Sequence, residues 1–146
     1  MSTEENKAVA RRIIEFWNGG DLGVLDEIIA PDYVRHWHGT AARPKSGPEW
    51  FKQLAMHVRA VIPDLRFTAE DLLADGDKVV MYYTGTGSQQ GEYASMWGPV
   101  PPTGKKVAWT GITILRVADG QIAEEWLEED RLGLYQQMGA IPSPSR

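Results

Sequence analysis

Residues 104–139 read "GKKVAWTGITILRVADGQIAEEWLEEDRLGLYQQMG". β-Branched and aromatic residues fill 107–117, Asp119-Gly120 supplies a turn pair, apolar character resumes from Ile122 to about Glu128, and Asp130 opens a short helix. Two strands joined by such a turn form a hairpin, and this one allows two closures. A two-residue turn at Asp119-Gly120 pairs Ala118 with Gln121; a type I turn with Gly120 as a left-handed bulge pairs Val117 with Gln121. A one-residue slip exchanges the faces of one strand relative to the other. The bulged closure is our expectation. It puts Trp109, Gly111, Thr113 and Leu115 on one face with Ala123, Glu125 and Leu127. The other face takes Thr110, Ile112, Ile114 and Arg116 with Ile122, Glu124, Trp126 and Glu128. Both faces are apolar enough to need cover. One is expected to meet helices around a cavity, the other a second copy of the chain, making a homodimer through the sheet.

Upstream, the chain supplies helices first and strands later. Ser2 with Glu5 has the capping-box spacing, and Val9, Ile13, Phe16 and Trp17 recur at helical spacing up to Asn18-Gly19-Gly20. Asp21 is placed to cap a second helix carrying Leu22, Leu25, Ile28 and Ile29, with Pro31 as its stop. Tyr33 to His38 is short, aromatic and histidine-rich, and 41–47 is a loop bearing Arg43 and Lys45. Ser46 with Glu49 is a second capping box, ahead of a third helix with Trp50, Phe51, Leu54, Val58 and Val61 on one stripe. After Pro63-Asp64 the period changes to two: Leu65, Phe67 and Ala69 alternate with polar residues, and a strand from Lys78 to Thr86 follows the turn at Asp75-Gly76. Residues 96–103 are proline-rich, a loop or sheet-edge crossing, and 141–146 reads as a frayed tail. Helices segregated from strands predict an α+β fold, a cone-shaped curved antiparallel sheet wrapped over N-terminal helices.

With 146 residues, the chain is expected to form one domain, 1–146, able to bury a core. The absence of cysteine excludes disulfides, thiolate metal sites and a cysteine nucleophile. A net charge of −5 argues against a nucleic-acid partner. No stretch has the length of a membrane span or the pattern of a signal peptide, so neither a membrane partner nor export is expected, and the cytoplasm is the default location. Six tryptophans and five tyrosines are many for this length and suit an aromatic-lined cavity.

The stretch "GPVPPTGKKVAWTGITILRVADGQIAEEWLEEDRLGLYQQMG" (98–139) resembles the SnoaL-like polyketide cyclases and ester-cyclase-like proteins, which share the cone fold of nuclear transport factor and ketosteroid isomerase. The residues carrying the likeness are Pro101-Pro102-Thr103-Gly104-Lys105, Asp119-Gly120-Gln121-Ile122, Glu124 with Trp126, Asp130 with Gly133-Leu134, and Gln137-Met138-Gly139. Upstream, Glu15-Phe16-Trp17-Asn18, Pro31-Asp32-Tyr33 leading to His36, and Gly47-Pro48-Glu49 also fit. The resemblance implies cofactor-independent acid-base cyclisation or isomerisation of a small hydrophobic carbonyl compound, with no cofactor and no metal. It also shows a departure. The cyclases' acid-base aspartate falls at Leu127 and their partner histidine at Thr113, so that proton-transfer pair is missing here.

The proton-moving roles would then need other residues. Glu125 shares the expected cavity face with Thr113 and Leu127, and a carboxylate among tryptophans is a candidate base. His36 is a candidate acid or hydrogen-bond donor; with His38 it shares one side of an extended segment, but no spaced third ligand suggests a metal site. Asp130 is either an acid at the end of the pocket or the N-cap of the last helix. Trp17, Leu54, His57, Trp109, Thr113 and Leu127 are the expected substrate-binding residues, Trp17 because the matching family position is aromatic. His57 can equally be a satisfied core histidine. Met96 and Trp97 are further candidates for the lining. Tyr82 and Tyr83 point to opposite faces, so one of them offers a hydroxyl to the cavity. The acidic run Glu124, Glu125, Glu128, Glu129 and Asp130 reads otherwise as a solvated strand end. A non-catalytic binding or dimerisation module and an epoxide-type hydrolase are the alternative functions on this fold.

Overall fold

A computed structural model of the chain describes residues 1–37, 47–95 and 98–142. His38, the loop with Arg43 and Lys45, the capping residue Ser46, Met96, Trp97 and the end of the tail (143–146) lie outside the described residues.

Helix α1 (Thr3–Trp17) begins as its first residues dictate. The Ser2 hydroxyl accepts from the Glu5 amide at 3.1 Å and the Ser2 amide donates to the Glu5 carboxylate at 3.3 Å. Its buried stripe is Val9, Ile13 and Phe16. At its end the Asn18 side chain pairs with the backbone of Phe67 in both directions, at 2.8 and 2.7 Å, which fixes Trp17 against the sheet. The expected second helix is shorter than its pattern suggests. A 3-10 turn (Leu22–Val24), at whose start Asp21 makes no side-chain cap, runs into a single turn α2 (Leu25–Ile28). The chain then becomes extended, and Pro31 lies inside strand β1 (Ile29–Trp37) rather than stopping a helix. Proline is tolerated there because β1 is an edge strand. Helix α3 (Gly47–Val61) follows. From it, Arg59 donates to the carbonyls of Phe16 and Gly20 at 2.7 and 2.9 Å, locking its end to that of α1.

Strands β2 (Arg66–Asp75), β3 (Lys78–Ser88), β6 (Lys106–Ala118) and β7 (Gln121–Glu129) form an antiparallel sheet, and β1 joins it in parallel beside β7, giving the order β1-β7-β6-β3-β2. A separate small hairpin, β4 (Tyr93–Ser95) with β5 (Gly98–Val100), precedes β6. Helix α4 (Arg131–Gln137) closes the described fold. Helices α1 and α3 pack on one face of the sheet, and the core lies between them. The mixed α+β architecture with a curved, unclosed sheet is as the sequence implies.

The hairpin register corrects one expectation and keeps its consequence. Ala118 pairs with Gln121, and Asp119 and Gly120 have φ of 52° and 76°, so the two-residue type I′ turn forms, not the bulged closure. One step later a bulge inserts at Ala123: Val117 faces Ile122, but Arg116 faces Glu124. The inserted residue restores the alternation. Leu115 faces Glu125 and Thr113 faces Leu127 on the core side, while Ile114 faces Trp126 outside. Ile122, expected on the outer face, is buried at 1% exposure.

Candidate functional site

Between the sheet and helices α1 and α3 lies a cavity of about 130 Å³. Alternation in the strands and helical spacing in α1 and α3 determine who reaches it. Trp17 comes from α1, Phe51, Leu54, His57 and Val58 from α3, Phe67 from β2, Met81 and Tyr83 from β3, and Trp109, Thr113 and Leu115 from β6. Strand β7 contributes Glu125, Leu127 and Glu129, β1 contributes Arg35, and Tyr93 and Arg131 stand near the chain's small hairpin and last helix. The lining is mainly apolar. Trp17 meets Phe51 and Phe67 at ring separations of 5.7 Å each, and Phe67 meets Trp109 at 5.8 Å.

Two polar groups interrupt it. At the first, Glu125 accepts from the Tyr33 hydroxyl at 2.5 Å and from the Thr113 hydroxyl at 2.7 Å, and the Arg35 guanidinium lies 3.4 Å away. Glu125 itself is buried. Burial, reinforced by the Glu125 charge, holds the Tyr33 phenol well above its ordinary pKa, so it stays a donor. For Arg35, burial works against the charge, but Glu125 and the neighbouring Tyr33, Glu129 and Tyr83 outweigh it and raise the guanidinium's pKa. At the second group, Glu129 accepts from the Tyr83 hydroxyl at 2.8 Å and from Arg131 at 2.9 Å, and Arg131 also donates to the Tyr93 hydroxyl at 3.4 Å. Burial and then the Glu129 carboxylate push the Tyr83 phenol upward.

Of the sequence-derived candidates, Glu125, Trp17, Leu54, His57, Trp109, Thr113 and Leu127 come together on this cavity. His57 is exposed, so it belongs to the mouth and not to the core. His36 does not reach the cavity. Register places it beside Trp126 on the outer face, where its ring stacks on that indole at 5.1 Å and bonds Glu124 at 2.6 Å. Asp130 is a cap: its carboxylate accepts from the Gly133 amide at 2.9 Å and it does not line the cavity. Neither residue lines the cavity. Tyr83 is the cavity tyrosine; Tyr82 is 42% exposed on the other side. Sequence reasoning missed Tyr33, Arg35, Glu129 and Arg131. Alternation in a strand from Ile29 would have put Tyr33 and Arg35 on one side together, but nothing local announces that β1 pairs with β7. Among the described residues no three histidine, aspartate or glutamate side chains gather where they could hold a metal ion.

The fold that frames this cavity is shared with known proteins. The model of the SnoaL-like polyketide cyclases matches residues 7–138, and the chain belongs to that family. Among solved structures, IdmH, a proposed polyketide cyclase from Streptomyces antibioticus, is 31% identical over 92% of this chain and 98% of its own, with a TM-score of 0.78. TsrD from Streptomyces laurentii is 28% identical over 97% and 99%, with a TM-score of 0.82. AclR, a proposed hydroxylase from Streptomyces galilaeus, is 27% identical over 99% and 87%, with a TM-score of 0.84. No curated protein gives a significant match.

Proposed function

We propose that the chain is a cytoplasmic, cofactor-independent enzyme that cyclises or isomerises a small hydrophobic carbonyl compound, with Glu125 as its base. The observation that carries this reading is a buried carboxylate on the wall of an apolar cavity, held by Tyr33 and Thr113 and facing Arg35. Glu125 removes a proton from the carbon beside a carbonyl, and the C–H electron pair becomes an enolate. Its oxygen is stabilised by the Arg35 guanidinium, a charge already fixed in place before reaction. In a cyclisation the enolate carbon attacks a second carbonyl carbon of the same molecule, and Glu125 returns the proton to the new alkoxide. In an isomerisation it returns the proton to another carbon. This route does not need the acid-base pair replaced by Leu127 and Thr113, which face each other across β6 and β7.

The test uses 2′-hydroxyacetophenone in deuterated buffer, with deuterium entry into its methyl group followed by NMR. The native protein should accelerate exchange, and Glu125→Gln should slow it by at least about a hundredfold. Equal rates in both proteins would remove Glu125 from the chemistry. The second reading, a non-catalytic binding module, is favoured by the replaced pair, and it predicts binding without any acceleration.

We propose further that the outer face of the sheet joins two copies of the chain. Leu73, Val80, Ile114 and Trp126 are successive cross-strand neighbours there. Beside them Tyr82 and Ile112 are 42% and 48% exposed, more contiguous apolar surface than scattered single residues leave.

A further inference from the structure

The cavity constrains the ligand more tightly than the family description does, through its charge, its size and the sidedness of its wall.

Two carboxylates and two guanidiniums line it, and they are matched one to one: Arg35 with Glu125 at 3.4 Å, and Arg131 with Glu129 at 2.9 Å. The charges therefore cancel within the wall. An anionic ligand would lose its hydration on entering and find each lining arginine already facing a carboxylate, and a cationic ligand meets the mirror of that problem. The cavity is about 130 Å³, close to the roughly 150 Å³ hollow that holds benzene in a protein core and well below the space taken by drug-sized ligands. Its wall is sided. Within it the polar groups come from β1, β3, β4, β6, β7 and Arg131 of α4, while Trp17, Phe51, Leu54 and Val58 on α1 and α3 present mainly aromatic and aliphatic surface and His57 of α3 stands at the exposed mouth. Glu125 and Glu129 are four positions apart on one strand, about 13 Å along it, so polar partners run down one edge of whatever lies inside.

From this we infer that the physiological ligand is an uncharged, single-ring compound with its oxygen substituents on one edge, and that free carboxylates and fused multi-ring systems are excluded. This rests on the reading of the cavity as the reactive site, but it is tested by binding alone. Equilibrium dialysis would compare three probes: 2′-hydroxyacetophenone, salicylate (the same ring with a carboxylate) and 1,8-dihydroxyanthraquinone (three fused rings). The neutral single-ring ketone should bind at least about tenfold more tightly than either of the others, a difference large enough to measure directly. Salicylate binding as tightly would overturn the neutrality, the anthraquinone binding as tightly would overturn the size limit, and no retention of the ketone would overturn both. Leu127→Trp fills the cavity and should abolish retention of the ketone; Val58→Trp fills it from the helix side, should that variant fail to fold. Retention by a folded, filled variant overturns the location. Glu125→Gln removes one negative charge, so the ratio of ketone to salicylate affinity should shrink severalfold; an unchanged ratio overturns the charge argument. If this pattern holds but deuterium exchange is unaffected by Glu125→Gln, the catalytic role falls and the ligand assignment stands.

Discussion

Glu125 shows how much a single position depends on its surroundings. Its carboxylate would be costly to bury alone, and Tyr33, Thr113 and Arg35 supply the partners that make burial tolerable. Tyr33 is itself fully buried and stacks against Trp50 at 6.3 Å. Tyr33→Phe keeps the ring and removes only the donor, so it should lower unfolding free energy by about 2 kcal/mol, read from urea denaturation with an unchanged slope. A loss near zero would mean that this bond contributes nothing net. The neighbours Glu124 and Asp130 show the opposite case. Sequence makes them look like a continuation of one acidic cluster, yet Glu124 bonds His36 and Arg116 outside, and Asp130 caps a helix. Glu125 was legible because strand alternation assigns a face. His36 was misplaced because its face depends on a parallel partner about ninety residues away, and no local pattern encodes that pairing.

Among the elements, the β6–β7 hairpin carries the site, and its parity was legible although its turn was not. Asp119-Gly120 satisfies either closure; the choice between them follows from φ at Asp119, which only the folded hairpin reveals. The Ala123 bulge then returns Glu125 and Leu127 to the cavity. The crossing of β3 and β6 is equally demanding. Gly111 lies directly beneath Tyr83, and a Cβ there would stand 2.5 Å from Tyr83 Cζ. Gly111→Ala should therefore push Tyr83 off Glu129 and destabilise the protein by about 1–3 kcal/mol. A melting temperature equal to that of the native chain would show that the strand yields without cost. The second predicted helix failed at this scale for a different reason: a four-residue apolar pattern fits a single helical turn as well as a longer helix, and the chain leaves it early to begin β1.

For the whole molecule, the division of labour between the two faces of the sheet is the organising fact. One face encloses the hollow; the other carries the apolar row ending at Trp126, with Arg116 and Lys78 close by and Glu124 between them and His36. In sedimentation equilibrium the chain should weigh twice its 16.3 kDa, and Ile112→Lys, which places a charge in the middle of the exposed patch, should return it to one chain without lowering its helix content. A monomer in the native protein would assign that face to solvent. The architecture was readable from the order of helices and strands because each element must bury one side. The second polar group, Tyr83 with Glu129 and Arg131, was not, since it is assembled from three separate elements.

Tyr33 and Glu125 meet across 92 positions of sequence. A nascent chain therefore holds its tyrosine and guanidinium ready, with no carboxylate to receive them, until the final strand emerges. Under the role proposed for Glu125, a partly synthesised protein lacks its base. Two fragments divided after β3 would each hold only part of the proposed site, and regain of activity on mixing them would report the joining of β3 to β6 together with β1 to β7.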